Sequence, residues 1–151
     1  MRIVFAHEHP KVKRPDSIFL AGPSPRGKED YNWRPEALDL LTELGFSGTV
    51  YVPLPRDGEW TDNYDGQIDW ELEYLDAAGA RVFWIPRSAE LPGFTTNVEY
   101  GLYLKQPNMV LGYPENAIKM RYLDYVARHK FGVPVFHTLR ETLACGIRLL
   151  G

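Results

Sequence analysis

With 151 residues, 44% of them hydrophobic and 25% charged, the chain has the size and apolar content of one core, which excludes a disordered or fibrous protein. A formal net charge of −3, with no basic run longer than Lys11-Val12-Lys13-Arg14, argues against long-range attraction to a nucleic-acid polymer. The single cysteine, Cys145, excludes an intrachain disulfide and a CxxC metal site and agrees with a reducing cytosol.

In chain order, the run at 2–6 is a candidate edge strand, and His7 and His9 alternate behind it as on one strand face. As metal ligands these two lack a third partner at suitable spacing, so an edge-strand pair is expected. The first of five main strands spans 17–21. A helix follows in which Pro35 suits the first turn, Ala37, Leu38, Leu41 and Leu44 form an apolar stripe, and Gly45 supplies a left-handed stop. After a strand at 49–53 comes a helix over 66–78, where Ile68, Leu72 and Leu75 recur at i, i+4 and i+7. A strand at 81–86 leads to a helix over 97–105 ended by Pro107. Strands at 108–112 and 133–136 alternate with helices at 116–130 and 138–148, the last carrying Cys145 on its apolar face.

This alternation is the pattern of βαβ units. It predicts one α/β domain over 1–151: a doubly wound, five-stranded, mainly parallel sheet with helices on both faces, flavodoxin- or Rossmann-like. In such sheets ligands bind beyond the carboxyl ends of the strands, where the loops at 22–33, 54–66 and 86–96 lie. The opening residues have too short an apolar run for a signal peptide and no window approaches a membrane span, so a cytoplasmic protein without a membrane partner is expected.

Three segments could carry chemistry. Phe19-Leu20-Ala21-Gly22-Pro23-Ser24-Pro25-Arg26-Gly27 joins a strand to a helix, where small residues let backbone amides approach an anion and Ser24 and Arg26 add donors. Thr95-Thr96-Asn97-Val98-Glu99-Tyr100-Gly101 opens the third helix and places Glu99 in its first turn. Thr96 and Glu99 also fit a capping box, in which the glutamate only satisfies helix-start amides, and local spacing favours that assignment. Against it stands a second acidic cluster, Asp69-Trp70-Glu71-Leu72-Glu73, on the preceding helix. There Glu71 lies beside the apolar stripe, and Asp69, Glu73 and Asp76 lie nearer the solvated side. Two acids at one crevice suit glycosidic cleavage, in which one carboxylate meets the sugar carbon while the other handles the leaving group. They equally suit simple binding of ribose hydroxyls. Trp60 and Tyr64, in the 54–66 loop, offer flat faces for a base or for packing of the loop itself.

These residues resemble the nucleoside 2-deoxyribosyltransferase family, including its relatives that hydrolyse deoxynucleoside 5′-monophosphates. Phe19-Leu20-Ala21-Gly22-Pro23 looks like the family's first-strand loop, Glu71-Leu72-Glu73-Tyr74-Leu75-Asp76-Ala77-Ala78 like its acidic helix segment, and Asn97-Val98-Glu99-Tyr100-Gly101 like its nucleophile turn. The resemblance implies Glu99 as a nucleophile forming a glycosyl-enzyme intermediate and Glu71 as the acid near the leaving base, with Asp69 as the alternative to Glu71. It implies Gly22, Pro23, Ser24, Arg26 and Asn97 as substrate-binding residues, the first-loop members near the sugar's 5′ end. The implied partners are a nucleoside or nucleotide, a free nucleobase or water as acceptor, and further copies of the chain; no metal or organic cofactor is implied. Three departures stand out: Glu71 where the family more often has aspartate, Phe19 where relatives often carry a tyrosine, and no acid between Leu91 and Val98. Two other functions remain open, a non-catalytic nucleotide-binding module and an N-glycosidase acting on another nucleotide such as NAD.

Overall fold

The computed structural model describes residues 1–151 as a parallel sheet wrapped by helices. Strands β1 (Arg2–Phe5), β2 (Ser17–Ala21), β3 (Thr49–Val52), β4 (Ala80–Trp84), β5 (Met109–Gly112) and β6 (Val135–Phe136) lie in the order β1-β3-β2-β4-β5-β6. Every pairing is parallel. The candidate edge strand at the N-terminus therefore joins the five expected ones, making six.

Helices α1 (Arg34–Glu43) and α5 (Leu139–Arg148) cover one face, where Trp33, Ala37, Leu41 and Leu143 pack on Ile18, Leu20, Val50 and Val82. On the other face lie α2 (Tyr64–Ala77), α3 (Phe94–Tyr103) and α4 (Arg121–Val126), burying Trp70, Tyr74, Leu75, Tyr100 and Leu123 against Phe19, Tyr51 and Phe83. Strand residues alternate between the two cores, as the two-residue period of a sheet buried on both faces requires. The chain order reverses between β2 and β4, so the loops that follow these two strands diverge at that point of the sheet edge.

Two glycines let those loops come together. Gly22 has φ +151°, and a Cβ there would lie 2.0 Å from the Trp84 carbonyl oxygen at the end of β4. Gly93 has φ +64° in the left-handed region, and its Cβ would lie 2.7 Å from Pro23. The β2–α1 loop is thus held directly against the β4–α3 loop.

Some expectations are corrected. The apolar stripe assigned to α2 faces the core only in part: Leu75 is fully buried, but Leu72 is half-buried and Ile68 is 38% exposed, while Gln67, Trp70 and Tyr74 are buried. Large aromatic rings fill the space under α2, and this turns Ile68 outward and leaves Leu72 at the edge of the core. His7 and His9 lie beyond the end of β1; His7 has φ 66°, so the pair shares no strand face. The expected helix at 116–130 begins only at Arg121, because Lys119 adopts φ 55° and the Ile118 amide bonds to the Arg87 carbonyl instead of a helical neighbour. Its end widens into a π-turn over Ala127–Phe131 before Gly132. No helix is long and apolar enough to cross a membrane.

Candidate active site

A cavity of about 580 Å³ opens at the carboxyl edge of the sheet. Its walls are the β2–α1 loop (Pro23, Ser24, Pro25, Arg26), the outward face of α2 (Gln67, Ile68, Glu71, Leu72), and the start of α3 with the loop before it (Leu91–Thr95, Val98, Glu99, Leu102). His7, Trp60, Thr61 and Tyr64 complete the mouth. Ile68 and Leu72 of the α2 stripe are therefore cavity wall, which explains their exposure.

Glu99 sits in the second turn of α3, since the helix begins three residues earlier than the spacing suggests. The helix is entered through left-handed Gly93, and no side chain caps it. The capping-box assignment therefore fails: Thr96 lies inside the helix, and Glu99 is free to face α2. Two tyrosines fix the placement of α3. Tyr103 Oη donates to the Leu72 carbonyl at 3.2 Å, tying α3 to α2, and Tyr100 Oη donates to the Leu123 carbonyl at 2.6 Å, tying it to α4.

Across that seam the Glu99 and Glu71 carboxyls line the same cavity as close neighbours. Burial and the neighbouring Glu71 carboxyl push the Glu99 carboxyl up to about 9, opposed by the Arg34 guanidinium. A carboxyl so displaced holds its proton at neutral pH. Gln67 Nε2 donates to Glu71 Oε1 at 2.6 Å.

Arg34 lies beneath the site, fully buried in the first turn of α1. Its Nη2 donates to the Gly22 carbonyl at 2.8 Å, its Nε to Leu20 at 3.2 Å, and its Nη1 to the Pro23 carbonyl at 3.3 Å and Ser24 Oγ at 3.2 Å. Burial lowers its pKa to about 10, against the pull of Glu71 and Glu99. It remains cationic at neutral pH, and its field reaches both acids. Trp33 adds a donor at 3.1 Å to the same Pro23 carbonyl. The first loop thus turns its carbonyls inward onto a cation.

The outer amides of that loop are occupied as well. Arg26 N and Gly27 N both donate to Asp30 Oδ2 at 2.8 Å, so the chain's own carboxylate fills the anion position expected there.

Of the residues singled out in the sequence, Glu99, Glu71, Pro23, Ser24 and Arg26 meet in the cavity. Gly22 supports the loop from behind, Asp69 is exposed outside the cavity, and the Asn97 side chain is taken by the buried Arg87. Sequence reasoning missed Arg34, which looks like an ordinary surface residue at a helix start, and no local signal marks it. Gln67 had a signal, its i, i+4 spacing from Glu71. His7 was noticed for the wrong reason. No group of three His, Cys, Asp or Glu side chains is placed to hold a metal ion.

A family model described as nucleoside 2-deoxyribosyltransferase like matches residues 15–117, which include the first loop and both acidic helices. The chain belongs to that family. Comparison with curated proteins found no match. As a nucleoside 2-deoxyribosyltransferase-like protein it takes nucleoside-related glycosyl transfer as its general chemistry and a nucleoside-type small molecule as its ligand. The matched segment contains both acids but stops before α4, β6 and α5.

Proposed function

We propose that the protein cleaves or exchanges the N-glycosidic bond of a 2′-deoxynucleoside through a glycosyl ester on Glu99. The observation that carries this reading is the pairing of the Glu99 and Glu71 carboxyls in a cavity of about 580 Å³. That volume falls within the usual range for small-molecule sites. Glycosidic cleavage needs a carboxylate at the anomeric carbon and a proton for the departing base, and one shared proton on two acids supplies both. Apolar Ile68, Leu72 and Val98 suit a flat base, with Trp60 and Tyr64 at the mouth able to stack on it.

Asp30 points to the nucleoside in preference to its 5′-monophosphate. A phosphate near Arg26 would have to displace a carboxylate that holds two amides, or sit beside its charge. Chromatography of a mixed panel of nucleosides and 5′-monophosphates, with and without a second free base, tests both points. Released or exchanged bases are expected, with nucleosides consumed faster than their monophosphates. No turnover anywhere in the panel overturns the glycosidase reading, and preferred monophosphates overturn the assignment to Asp30.

The reading extends to a homo-oligomer. Phe94, Val98 and Leu102 are 70%, 62% and 60% exposed along one face of α3, at the cavity rim, and an apolar stripe of this kind marks a contact surface. A second copy laid over it would also shield the site from water. Light scattering should show a dimer or larger species that Val98→Glu dissociates; a monomeric wild type removes this part of the proposal.

A further inference from the structure

Gln67 is the most deeply buried polar side chain in the cavity wall, 5% exposed in the first turns of α2. One end of its amide is committed: Nε2 donates to Glu71 Oε1 at 2.6 Å. The other end, Oε1, is buried without any hydrogen-bond partner. A buried acceptor left unmatched is unfavourable, so its presence beside the two acids calls for a reason.

An amide N–H can donate only to an oxygen that bears no proton along that direction. Of the two carboxyls in contact, Glu71 is therefore the one held as an acceptor. Glu99 is offered no such donor. A proton shared by the pair then belongs on Glu99, with its O–H directed at Glu71.

We infer that Gln67 is a positioning residue that fixes Glu71 as the acceptor of the pair and so stores the catalytic proton on Glu99 in the resting site. The inference rests on the glycosyl-transfer reading above, because only there does the proton have a destination. On substrate binding the proton passes from the Glu99 oxygen to the neighbouring Glu71 oxygen, leaving Glu99 as a carboxylate. The bond from the anomeric carbon to the base nitrogen breaks, its electron pair stays on the base, and that nitrogen takes the proton from Glu71. A Glu99 oxygen bonds to the anomeric carbon. Charge balances, since the monoanionic pair plus a neutral nucleoside becomes a neutral glycosyl ester, a neutral base and the Glu71 carboxylate.

The unmatched Oε1 has its use in the middle of this sequence. The terminal torsion of glutamine is broad and nearly two-fold, so half a turn presents Oε1 where Nε2 had been. Once Glu71 carries the proton, that oxygen accepts its O–H. A side chain with a donor on one side and an acceptor on the other matches Glu71 in both of its states. Methionine, of similar shape, matches neither.

The other charged or titratable groups around the pair are Arg34 from α1, Arg26 from the first loop, His7 after β1, Tyr64 on α2 and Tyr103 on α3. None of them donates to Glu71 in the structure. Removing the Gln67 donor should destabilise the ionised form of Glu71 and move the pair's titration to higher pH.

The test measures kcat and KM against pH for wild type and Gln67→Met on the best nucleoside of the panel. The expected result is a fall in kcat of about 10- to 100-fold, with KM within about threefold. The acid limb of the kcat profile should move up by about half a pH unit or more. Should Gln67→Met fail to fold, Gln67→Asn serves, since it keeps a polar amide but is too short to reach Glu71, and it should move the same limb. An unmoved acid limb, or a loss confined to KM, overturns the role of Gln67 while leaving glycosyl transfer standing. A wild type inactive on the whole panel would instead remove the reading on which it rests.

Discussion

Glu99→Gln is expected to lose at least about 10³-fold in kcat on the best nucleoside while still binding it, because the amide keeps the shape of the side chain and removes the proposed nucleophile. The same variant should gain stability at alkaline pH. The Glu99 carboxyl, ordinarily near 4.5, is raised to about 9 in the folded protein, so between these values the native state holds a proton that the unfolded chain has released. The stabilisation from that proton is complete below about 4.5 and is lost as pH rises towards about 9. Glutamine, neutral throughout, escapes the loss. Thermal midpoints of wild type and variant should therefore agree near pH 5 and separate by several degrees by pH 8, at about 2–4 °C for each kcal/mol. Retained turnover in Glu99→Gln would leave a nucleotide-binding module as the better description. Parallel pH profiles of stability would show that no proton is held.

Arg34→Met is expected to be the most destabilising single change in the site, by about 3–5 kcal/mol, measured by urea unfolding. Methionine replaces the volume but none of the donors, leaving the buried carbonyls of Leu20 and Gly22 without Arg34's hydrogen bonds, and Pro23 with only the Trp33 indole. The loop that meets Gly93 would lose its anchor at the same stroke. The variant also removes the only buried cation whose attraction opposes the upward shift of Glu99. Arg26→Met is the control, because Arg26 is exposed and its side chain holds no part of the loop; a change within about 0.5 kcal/mol is expected. A loss below about 1 kcal/mol for Arg34→Met would show that the loop carbonyls are satisfied some other way.

The candidate active site departs from ordinary folding economy in a consistent direction. Two acids face each other in a half-buried seam, a glutamine oxygen has no partner, and a guanidinium is fully buried beneath them. The first two weaken the fold, the third is held by the carbonyls and the Ser24 hydroxyl it binds, and all lie within one cavity wall or directly under it. Such clustering is what pKa tuning for catalysis requires, since a nucleophile that can also store a proton must be held where water does not set its titration.

The alternation of strands and helices was legible from the sequence because each strand is buried on both faces and reads as a short apolar run, and Pro35 and Gly45 mark their helix by backbone chemistry alone. Glu71 and Glu99 were legible as acids at the sheet's carboxyl edge for the same reason, since their positions follow from the order of elements. Other features belong to distant contacts. Which face of α2 turns inward was decided by Trp70 and Tyr74 filling the core beside Leu75, so aliphatic spacing misplaced Ile68. Where α3 begins was decided by Gly93 packing on Pro23, and where α4 begins by Ile118 bonding to Arg87. Local pattern therefore determined the elements and the residue types available for chemistry. The meeting of the two acids, the cation under the loop and the occupation of its amides by Asp30 required the folded chain, because hydrogen bonds and charge interactions act across space between residues that spacing along the sequence does not relate.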